Sequence, residues 1–277
     1  MNKILNLNYD IMKTRLSLIF ATIVMLLQTN LTAQERLVIE SSYLKCNDTI
    51  LVFTPANVEP GTPLLYLLHG WSGSYSDWHR KTDIQALSDK YGFTIVTPDG
   101  FYNSWYLNNT DSSKMQWRKF FDQELYPQIS VRYGNTPENT FITGLSMGGH
   151  GAINIFIDDT TRFRAAGSMS GVLNLHDTRL KVNQINEVLG EYTPQNLLFD
   201  NSSAINRAES IAGCTKMLLI TCGAEDGLVK SSMDFAKRCR ELKINNTLVI
   251  SPGVHSWQYW TYIVNLHLFL FKKELEK

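Results

Sequence analysis

Short apolar runs alternate with helical patterns along this chain, and this alternation constrains its fold most. Residues 64–68 are apolar without interruption, as expected for a strand buried on both faces of a parallel sheet. Further strands are predicted at 49–54, 93–97, 140–143, 165–168, 217–221 and 247–250. Helices are predicted at 81–91, 119–132 (with a kink at Pro127), after Ser146, and at 229–242 and 257–271. The pattern predicts an α/β fold with a mostly parallel central sheet and helices on both faces.

One segment, residues 171–211, interrupts the alternation because it contains no clear strand. Its first part, 173–189, could form helix and turn. A long insertion at such a place often shapes a binding site. No linker or repeat is visible after residue 33, so residues 34–277 are predicted to form a single domain with 171–211 as a cap-like insertion.

The N-terminus has the pattern of a secretory signal peptide. Lys13 and Arg15 precede an apolar run at 16–27, and the small residue Ala33 follows as a cleavage site. The alternative is a membrane anchor, but this run is shorter than the roughly 20 residues that span a bilayer. We therefore predict a signal peptide over 1–33, a secreted or periplasmic protein, and no stable membrane span after cleavage.

Charge and cysteine usage exclude several classes of function. Lys plus Arg and Asp plus Glu are both 26, so nothing indicates a nucleic-acid-binding surface. Export would permit disulfides, but Cys214 and Cys222 flank a predicted strand that separates them by about 25 Å, beyond disulfide reach. The four cysteines are interpreted as small buried residues. No zinc-type spacing or phosphate-binding loop is present, so neither a metal nor a cofactor is predicted.

The strongest local signal is the run Gly144-Leu145-Ser146-Met147-Gly148. It follows a predicted strand and precedes a helical pattern, which is the context of a nucleophile elbow. The glycines would be required because a Cβ would clash with the neighbouring strand and helix. Ser146 is therefore the predicted nucleophile; the alternative is a glycine-rich turn that only needs tight packing.

A serine needs a base, and in this architecture the chain order is serine, acid, histidine. His255 lies in a turn between the last predicted strand and the last helix, where such folds place catalytic loops. His176 precedes any suitable acid, and His267 lies among apolar residues of a helix. His255 is therefore the predicted base.

The acid should follow the strand at 217–221, where Glu225 and Asp226 compete. Asp226 is the predicted acid because it lies at the loop end, where a short side chain can reach the imidazole; Glu225 is the alternative. Asp226 could also cap the following helix. The oxyanion hole would use the backbone N–H groups of Met147 and Trp71. His69, two residues before Trp71, is interpreted as a structural histidine that hydrogen-bonds this loop.

Several segments together resemble the putative esterase (esterase D) family of α/β-hydrolases. They are His69-Gly70, Pro98-Asp99-Gly100, the run from Gly144 to Ala152, Gly223 to Asp226, and Pro252 to Trp257. That family includes S-formylglutathione hydrolases, tributyrin, feruloyl and acetyl-xylan esterases, and mycolyltransferases. The resemblance covers roughly residues 50–270 and implies an α/β-hydrolase fold. It also implies triad roles for Ser146, Asp226 and His255, with Trp71 and Met147 as oxyanion donors.

The departures from the family pattern refine the expectation. Where formylglutathione hydrolases usually carry a Cys-containing loop, this chain reads Trp71-Ser72-Gly73-Ser74-Tyr75. Residues 101–106 look more like the tributyrin and feruloyl esterase branch. Aromatic residues here could stack on a sugar or phenolic ring or simply pack the loop, so Trp105 and Trp257 are candidate substrate contacts.

These features together predict a secreted serine carboxylic-ester hydrolase that works through an acyl-enzyme. Its partner would be an acylated carbohydrate or another small ester. The alternatives are an acyltransferase with the same triad and a non-catalytic binding module on a hydrolase fold.

Overall fold

The computed structural model describes residues 34–176 and 184–277; the predicted signal peptide lies outside them. Eight strands form one sheet in the order β1-β2-β4-β3-β5-β6-β7-β8. The strands are β1 (Gln34–Ser41), β2 (Cys46–Phe53), β3 (Leu64–Leu68), β4 (Thr94–Thr97), β5 (Thr140–Gly144), β6 (Ala165–Met169), β7 (Met217–Gly223) and β8 (Asn246–Ser251).

Strands β3 to β8 are parallel, whereas β2 runs antiparallel to both β1 and β4. The predicted, mostly parallel sheet is therefore confirmed. Strand β1 was not predicted. Its side chains alternate between exposed and partly or fully buried, and it pairs with β2 along its whole length, from Gln34 opposite Phe53 to Ser41 opposite Cys46. The hairpin partner stabilises it, more than its own apolar content does.

The helices are α1 (Asp77–Lys81), α2 (Ile84–Tyr91), α3 (Trp117–Phe120), α4 (Tyr126–Tyr133), α5 (Met147–Asp158), α6 (Asn186–Leu189), α7 (Leu198–Ser202), α8 (Ala204–Arg207), α9 (Val229–Glu241) and α10 (Trp257–Leu275). Two differ from expectation. The helix predicted at 81–91 begins later, at Ile84, because Asp83 caps α2 by accepting the Ala86 N–H at 3.1 Å, and Lys81 instead ends α1. A π-helical turn, Phe121–Leu125, joins α3 to α4 just before Pro127, which supplies no N–H.

Two apolar layers cover the two faces of the sheet. Alternate residues of β3 belong to different layers: Tyr66 and Leu68 to one, Leu65 and Leu67 to the other. Helices α5 and α9 contribute to the first layer, and α2 and α10 to the second. The side chains thus bury the sheet on both faces, as predicted.

The described part of the insertion, 171–176 and 184–211, contains three short α-helices and a 3₁₀ turn but no strand. It is attached to the first apolar layer through buried residues such as Val188 and Phe199. Its helix α8 packs on α5, where the Arg207 guanidinium donates to Asn154 Oδ1 at 2.7 Å. Residues 177–183, part of the predicted helix and turn, lie outside the described residues.

All four cysteines are free. Cys222 and Cys239 are buried, as predicted, but Cys46 at the start of β2 is exposed and Cys214 is partly exposed. The interpretation as buried residues is therefore wrong for these two. Along the described ranges, no helix combines the length and the apolar character needed to cross a bilayer.

Candidate active site

Ser146 lies on a strained turn between β5 and α5. Its backbone has φ 52° and ψ −113°, a conformation that side-chain-bearing residues rarely adopt. The turn is fixed by its neighbours, because the Ser146 N–H donates to the Met169 carbonyl at 2.9 Å and Gly148 N–H to Leu145 at 2.7 Å. The side chain is thereby presented above the carboxyl end of the sheet.

The glycines of this turn are required by close backbone approaches. A Cβ on Gly144 would lie 2.6 Å from the carbonyl group of Gly148, and a Cβ on Gly148 would lie 2.5 Å from the carbonyl oxygen of His69. Both contacts involve backbone atoms that cannot rotate away. The steric reason given for these glycines in the sequence therefore holds in the structure.

The three predicted triad side chains lie in one hydrogen-bonded row. His255 Nε2 is 3.0 Å from Ser146 Oγ, and His255 Nδ1 is 2.8 Å from Asp226 Oδ2. Because an ionised carboxylate only accepts hydrogen bonds, Nδ1 carries the proton and Nε2 is free to accept from the serine hydroxyl. This tautomer is the one that a general base requires.

Asp226 is buried and well supplied with donors. Its Oδ1 accepts the Leu228 N–H at 2.8 Å, just before α9 begins, while Oδ2 binds the imidazole. Among the described residues, no side chain caps the N-terminus of α9, so the expectation that Asp226 caps this helix is wrong. Burial raises the pKa of Asp226, but hydrogen bonds from His255, Leu228 and Ser170 outweigh burial and leave the pKa below its usual value. The carboxylate therefore stays ionised beside the imidazole.

Glu225, the alternative acid, faces away from the imidazole. Its carboxylate accepts the Gly253 N–H at 2.9 Å, while its own N–H donates to the Gly253 carbonyl at 3.0 Å. Gly253 lies two residues before His255, so Glu225 holds the histidine loop. The structure places Asp226, not Glu225, against His255.

Both predicted oxyanion donors lie next to Ser146. Met147 is the first residue of α5, where a backbone N–H has no acceptor within the helix. Trp71 follows β3 and lines the same cavity as Ser146. Its loop is fixed by the Ser72 N–H, which donates to the Tyr102 carbonyl at 2.8 Å.

His69 has the structural role expected of it. Its Nε2 accepts the Gly100 N–H at 2.7 Å, so Nδ1 carries the proton and donates to the Gly70 carbonyl at 2.8 Å. The side chain is buried. It therefore joins the loop that carries Trp71 to the turn after β4.

A cavity of about 170 Å³ opens beside the serine. It is lined by Gly70, Trp71, Asp77, Leu145, Ser146, His255, Trp257 and Trp260. Of the two candidate substrate contacts, Trp257 thus lies at the site.

The expectation of substrate contact is wrong for Trp105. It is only 1% exposed, and its ring packs edge-on against His150 with centroids 5.7 Å apart. The turn that contains it is folded inward, so this aromatic residue packs the loop.

Two residues of the cavity, Trp260 and Asp77, were not predicted from the sequence. The Trp260 ring stands perpendicular to His255 with centroids 4.8 Å apart and supports the imidazole from the side. Its signal was available, because it follows Trp257 by one helical turn and therefore shares its face of α10. Asp77 gave no signal beyond an acidic residue in the first turn of a helix.

No three His, Cys, Asp or Glu side chains of residues 34–176 and 184–277 converge as metal ligands would.

Known proteins are similar to this chain in sequence and in fold. The family described as "Putative esterase" matches residues 41–265. An acetyl esterase of Caldicellulosiruptor saccharolyticus is 27% identical over 256 residues, which cover 84% of this chain and 96% of that protein. A 122-residue stretch, 41% of this chain and 36% of the relative, is 30% identical to a diacylglycerol acyltransferase/mycolyltransferase of Mycobacterium tuberculosis.

The fold is shared with a solved S-formylglutathione hydrolase from Agrobacterium tumefaciens. The TM-score is 0.77 at 20% identity, and the match covers 87% of this chain and 95% of the other. The predicted α/β-hydrolase fold is thereby confirmed. With most of its length matched, this chain belongs to the "Putative esterase" family and is a serine esterase, a carboxylic ester hydrolase.

Proposed function

We propose that the protein is a secreted esterase that cleaves short-acyl esters, acylated carbohydrates among them, with Ser146, His255 and Asp226 as its catalytic triad. The observation that carries this proposal is the continuous row from Ser146 Oγ through the imidazole to Asp226, with contacts of 3.0 and 2.8 Å. Such a row is the arrangement that activates a serine towards an ester carbonyl.

The reaction proceeds in two acyl-transfer steps. His255 Nε2 takes the hydroxyl proton while Ser146 Oγ bonds to the carbonyl carbon, and the oxyanion is held by the Trp71 and Met147 N–H groups. The C–O bond to the alcohol then breaks, and the imidazolium returns the proton to the leaving oxygen. Water, deprotonated by His255, attacks the acyl-enzyme and releases the carboxylic acid together with free Ser146. Asp226 stabilises the imidazolium at both steps.

The preference for compact esters follows from the space beside Ser146. A cavity of about 170 Å³ corresponds to the volume of roughly six water molecules. Three indole side chains, those of Trp71, Trp257 and Trp260, bound it. A long alkyl chain would have to extend beyond this cavity.

The proposal is tested with purified wild type and Ser146→Ala on acetyl, butyryl and feruloyl esters. We expect the wild type to cleave the short-acyl esters fastest. Ser146→Ala should lower kcat by about 10⁵- to 10⁶-fold, the scale on which hydrolases lose activity without their nucleophile. Circular dichroism and the unfolding midpoint check that the variant is folded. Turnover retained by folded Ser146→Ala would refute the assignment.

Secretion rests on the signal pattern over residues 1–33. We expect the exported protein, expressed from the full chain, to begin near Gln34. N-terminal sequencing of the protein outside the cytoplasm measures this. Accumulation of the uncut chain in the cytoplasm would contradict it.

An acyltransferase is the second candidate, favoured by the partial match to the mycobacterial acyltransferase/mycolyltransferase. The acyl-enzyme would be the same, and a sugar hydroxyl would replace water as acceptor. Product analysis with a sugar alcohol present separates the two: free acid indicates hydrolysis, and a new ester of the sugar alcohol indicates transfer.

A further inference from the structure

The cavity beside Ser146 has a carboxylate in its wall that the proposed mechanism does not use. Asp77 is only 6% exposed, yet it lines the same cavity as Ser146 and His255. Carboxylates are rarely buried without partners, because removing their charge from water is costly. The hydrogen bonds of this side chain therefore indicate what it can bind.

One oxygen of Asp77 has a partner within the protein, and the other does not. Oδ1 accepts from the Arg80 guanidinium at 2.6 Å. No group in residues 34–176 and 184–277 donates to Oδ2. A carboxylate oxygen can accept two hydrogen bonds, so Oδ2 is open to a donor from solvent or substrate.

Gly73 leaves room for this oxygen. A Cβ on Gly73 would lie 2.6 Å from Asp77 Oδ2. Gly73 belongs to the same loop as Trp71, whose N–H is a predicted oxyanion donor. The loop that carries Trp71 therefore also lies against the free Asp77 oxygen, and a side chain at residue 73 would collide with it.

The charges around Asp77 favour a neutral donor over a cation. Arg80 already pairs with the carboxylate, and Lys81 follows it on α1 with its ammonium group 5.4 Å from the centre of the Trp257 ring. One positive side chain therefore pairs with the carboxylate, and a second lies over a ring of the same cavity. A second cation would be repelled by these groups, whereas a hydroxyl group would not.

Part of the cavity wall is aromatic. Trp257 packs edge-on against Trp78 and Trp260, with ring centroids 5.1 and 5.6 Å apart. Indole surfaces suit the C–H faces of an alcohol, and the carboxylate suits its hydroxyl. The two together match an alcohol that carries a free hydroxyl besides the esterified one.

The leaving alcohol lies on the side of Ser146 that faces His255, because the imidazole must return a proton to the leaving oxygen. Trp260 packs against His255, and Trp257 packs against Trp260, so both indoles extend from that side of the cavity. Trp257 also contacts Trp78, the residue that follows Asp77. We propose that Asp77 selects short-acyl esters of polyols, with Oδ2 accepting a hydrogen bond from a free hydroxyl on the alcohol part. This rests on the ester hydrolysis proposed above.

A matched pair of substrates tests the role of Asp77. 2-Hydroxyethyl acetate and n-propyl acetate have the same number of heavy atoms and differ in one hydroxyl. We expect wild type to show a higher kcat/KM for the hydroxylated ester by about 10-fold or more, since hydrogen bonds to charged groups are the stronger ones. Hydrolysis of neither ester would refute the proposed function, whereas equal kcat/KM values would refute only the role of Asp77.

Asp77→Asn keeps the size of the side chain and reverses its hydrogen bonding. Its carbonyl oxygen would face Arg80, which leaves the amide NH₂, a donor, in the position of Oδ2. We expect the ratio of the two kcat/KM values to fall about 10-fold, towards one, because the hydrogen bond to a charged oxygen is lost. An unchanged ratio would overturn the proposal. If this variant does not fold, the wild-type ratio decides alone.

The control is Arg80→Ala, which removes the ion pair and keeps the carboxylate. The Arg80 side chain is 61% exposed, so water can take the place of its guanidinium at Oδ1 in the variant. We expect the preference for 2-hydroxyethyl acetate to stay within about fivefold of wild type. If Arg80→Ala loses the preference as completely as Asp77→Asn does, the assignment of the hydroxyl contact to Asp77 Oδ2 is overturned.

Discussion

At the scale of single residues, two adjacent carboxylates have different tasks because the chain turns between them. Asp226 is buried and reaches the imidazole, whereas Glu225 is exposed and binds the backbone of Gly253. Both carboxylates act on the histidine, one by a direct hydrogen bond and the other through the loop that carries it.

Asp226→Asn and Glu225→Gln distinguish these roles. Asparagine cannot stabilise the imidazolium and favours the wrong tautomer of His255, so we expect kcat to fall about 10³- to 10⁴-fold. Glutamine keeps an oxygen that can accept the Gly253 N–H, so Glu225→Gln should lower kcat by less than about tenfold. Both are measured as kcat for p-nitrophenyl acetate at one pH. If Glu225→Gln lowers kcat as much as Asp226→Asn does, the acid of the triad is Glu225 instead.

The sequence predicted the row of side chains but not the cavity around it. Ser146 is marked by a local motif, and chain order then selects His255 and Asp226. Trp105 was misjudged because the direction of an aromatic side chain depends on tertiary packing, here against His150. Asp77 could not be found, since only the assembled fold brings α1 next to the elbow.

At the scale of elements, the tight contact between β3 and α5 positions Ser146. The first turn of α5 approaches the end of β3 so closely that Gly148 has no room for a side chain. A Cβ there would meet the carbonyl oxygens of His69 and Leu68 at 2.5 and 2.6 Å.

Gly148→Ala should therefore destabilise the protein by about 3 kcal/mol or more, because backbone must move. Gly134→Ala is the control: Gly134 ends α4 with φ 63° and has no neighbour within 4 Å of a Cβ. Gly134→Ala should lower the free energy of unfolding by about 1 kcal/mol, because only the backbone conformation is unfavourable for alanine. Urea unfolding measures both, and equal costs would contradict the steric account.

Elements inside the sheet were easier to predict than those at its edge. β3 is apolar throughout because it is buried on both faces, and its predicted bounds agree with the structure. β1 escaped prediction because half of its side chains face solvent and its pairing with β2 is not visible locally. The strand order, with β4 between β2 and β3, is likewise a property of tertiary pairing.

At the scale of the whole molecule, buried neutral histidines link stability to pH. His267 bridges Thr143 of β5 and Thr221 of β7, with contacts of 3.0 Å to each hydroxyl. Burial lowers its pKa from 6.5 to about 3. Between these values the unfolded chain binds a proton that the folded chain does not. The stability contributed by the neutral ring is thus present above pH 6.5 and lost as pH falls.

His267→Gln, which can still bond both threonines, should remove this dependence. We compare the slope of the free energy of unfolding against pH near pH 5. We expect this slope to be smaller in the variant than in wild type by about 1.4 kcal/mol per pH unit. Other groups, such as the buried His150, are common to both proteins, so the difference isolates His267. His79→Gln, at an exposed position, is the control. Equal slopes in wild type and His267→Gln would contradict a neutral buried imidazole.

The most direct test of the account is reaction with a fluorophosphonate, which phosphonylates an activated serine. We predict one label per chain, on the peptide that contains Ser146, as read by mass spectrometry of the digested protein. Labelling should disappear in Ser146→Ala and become far slower in His255→Ala, because the base would be missing. A folded wild type that takes no label, or a Ser146→Ala variant labelled at the wild-type rate, would contradict the assignment of the nucleophile.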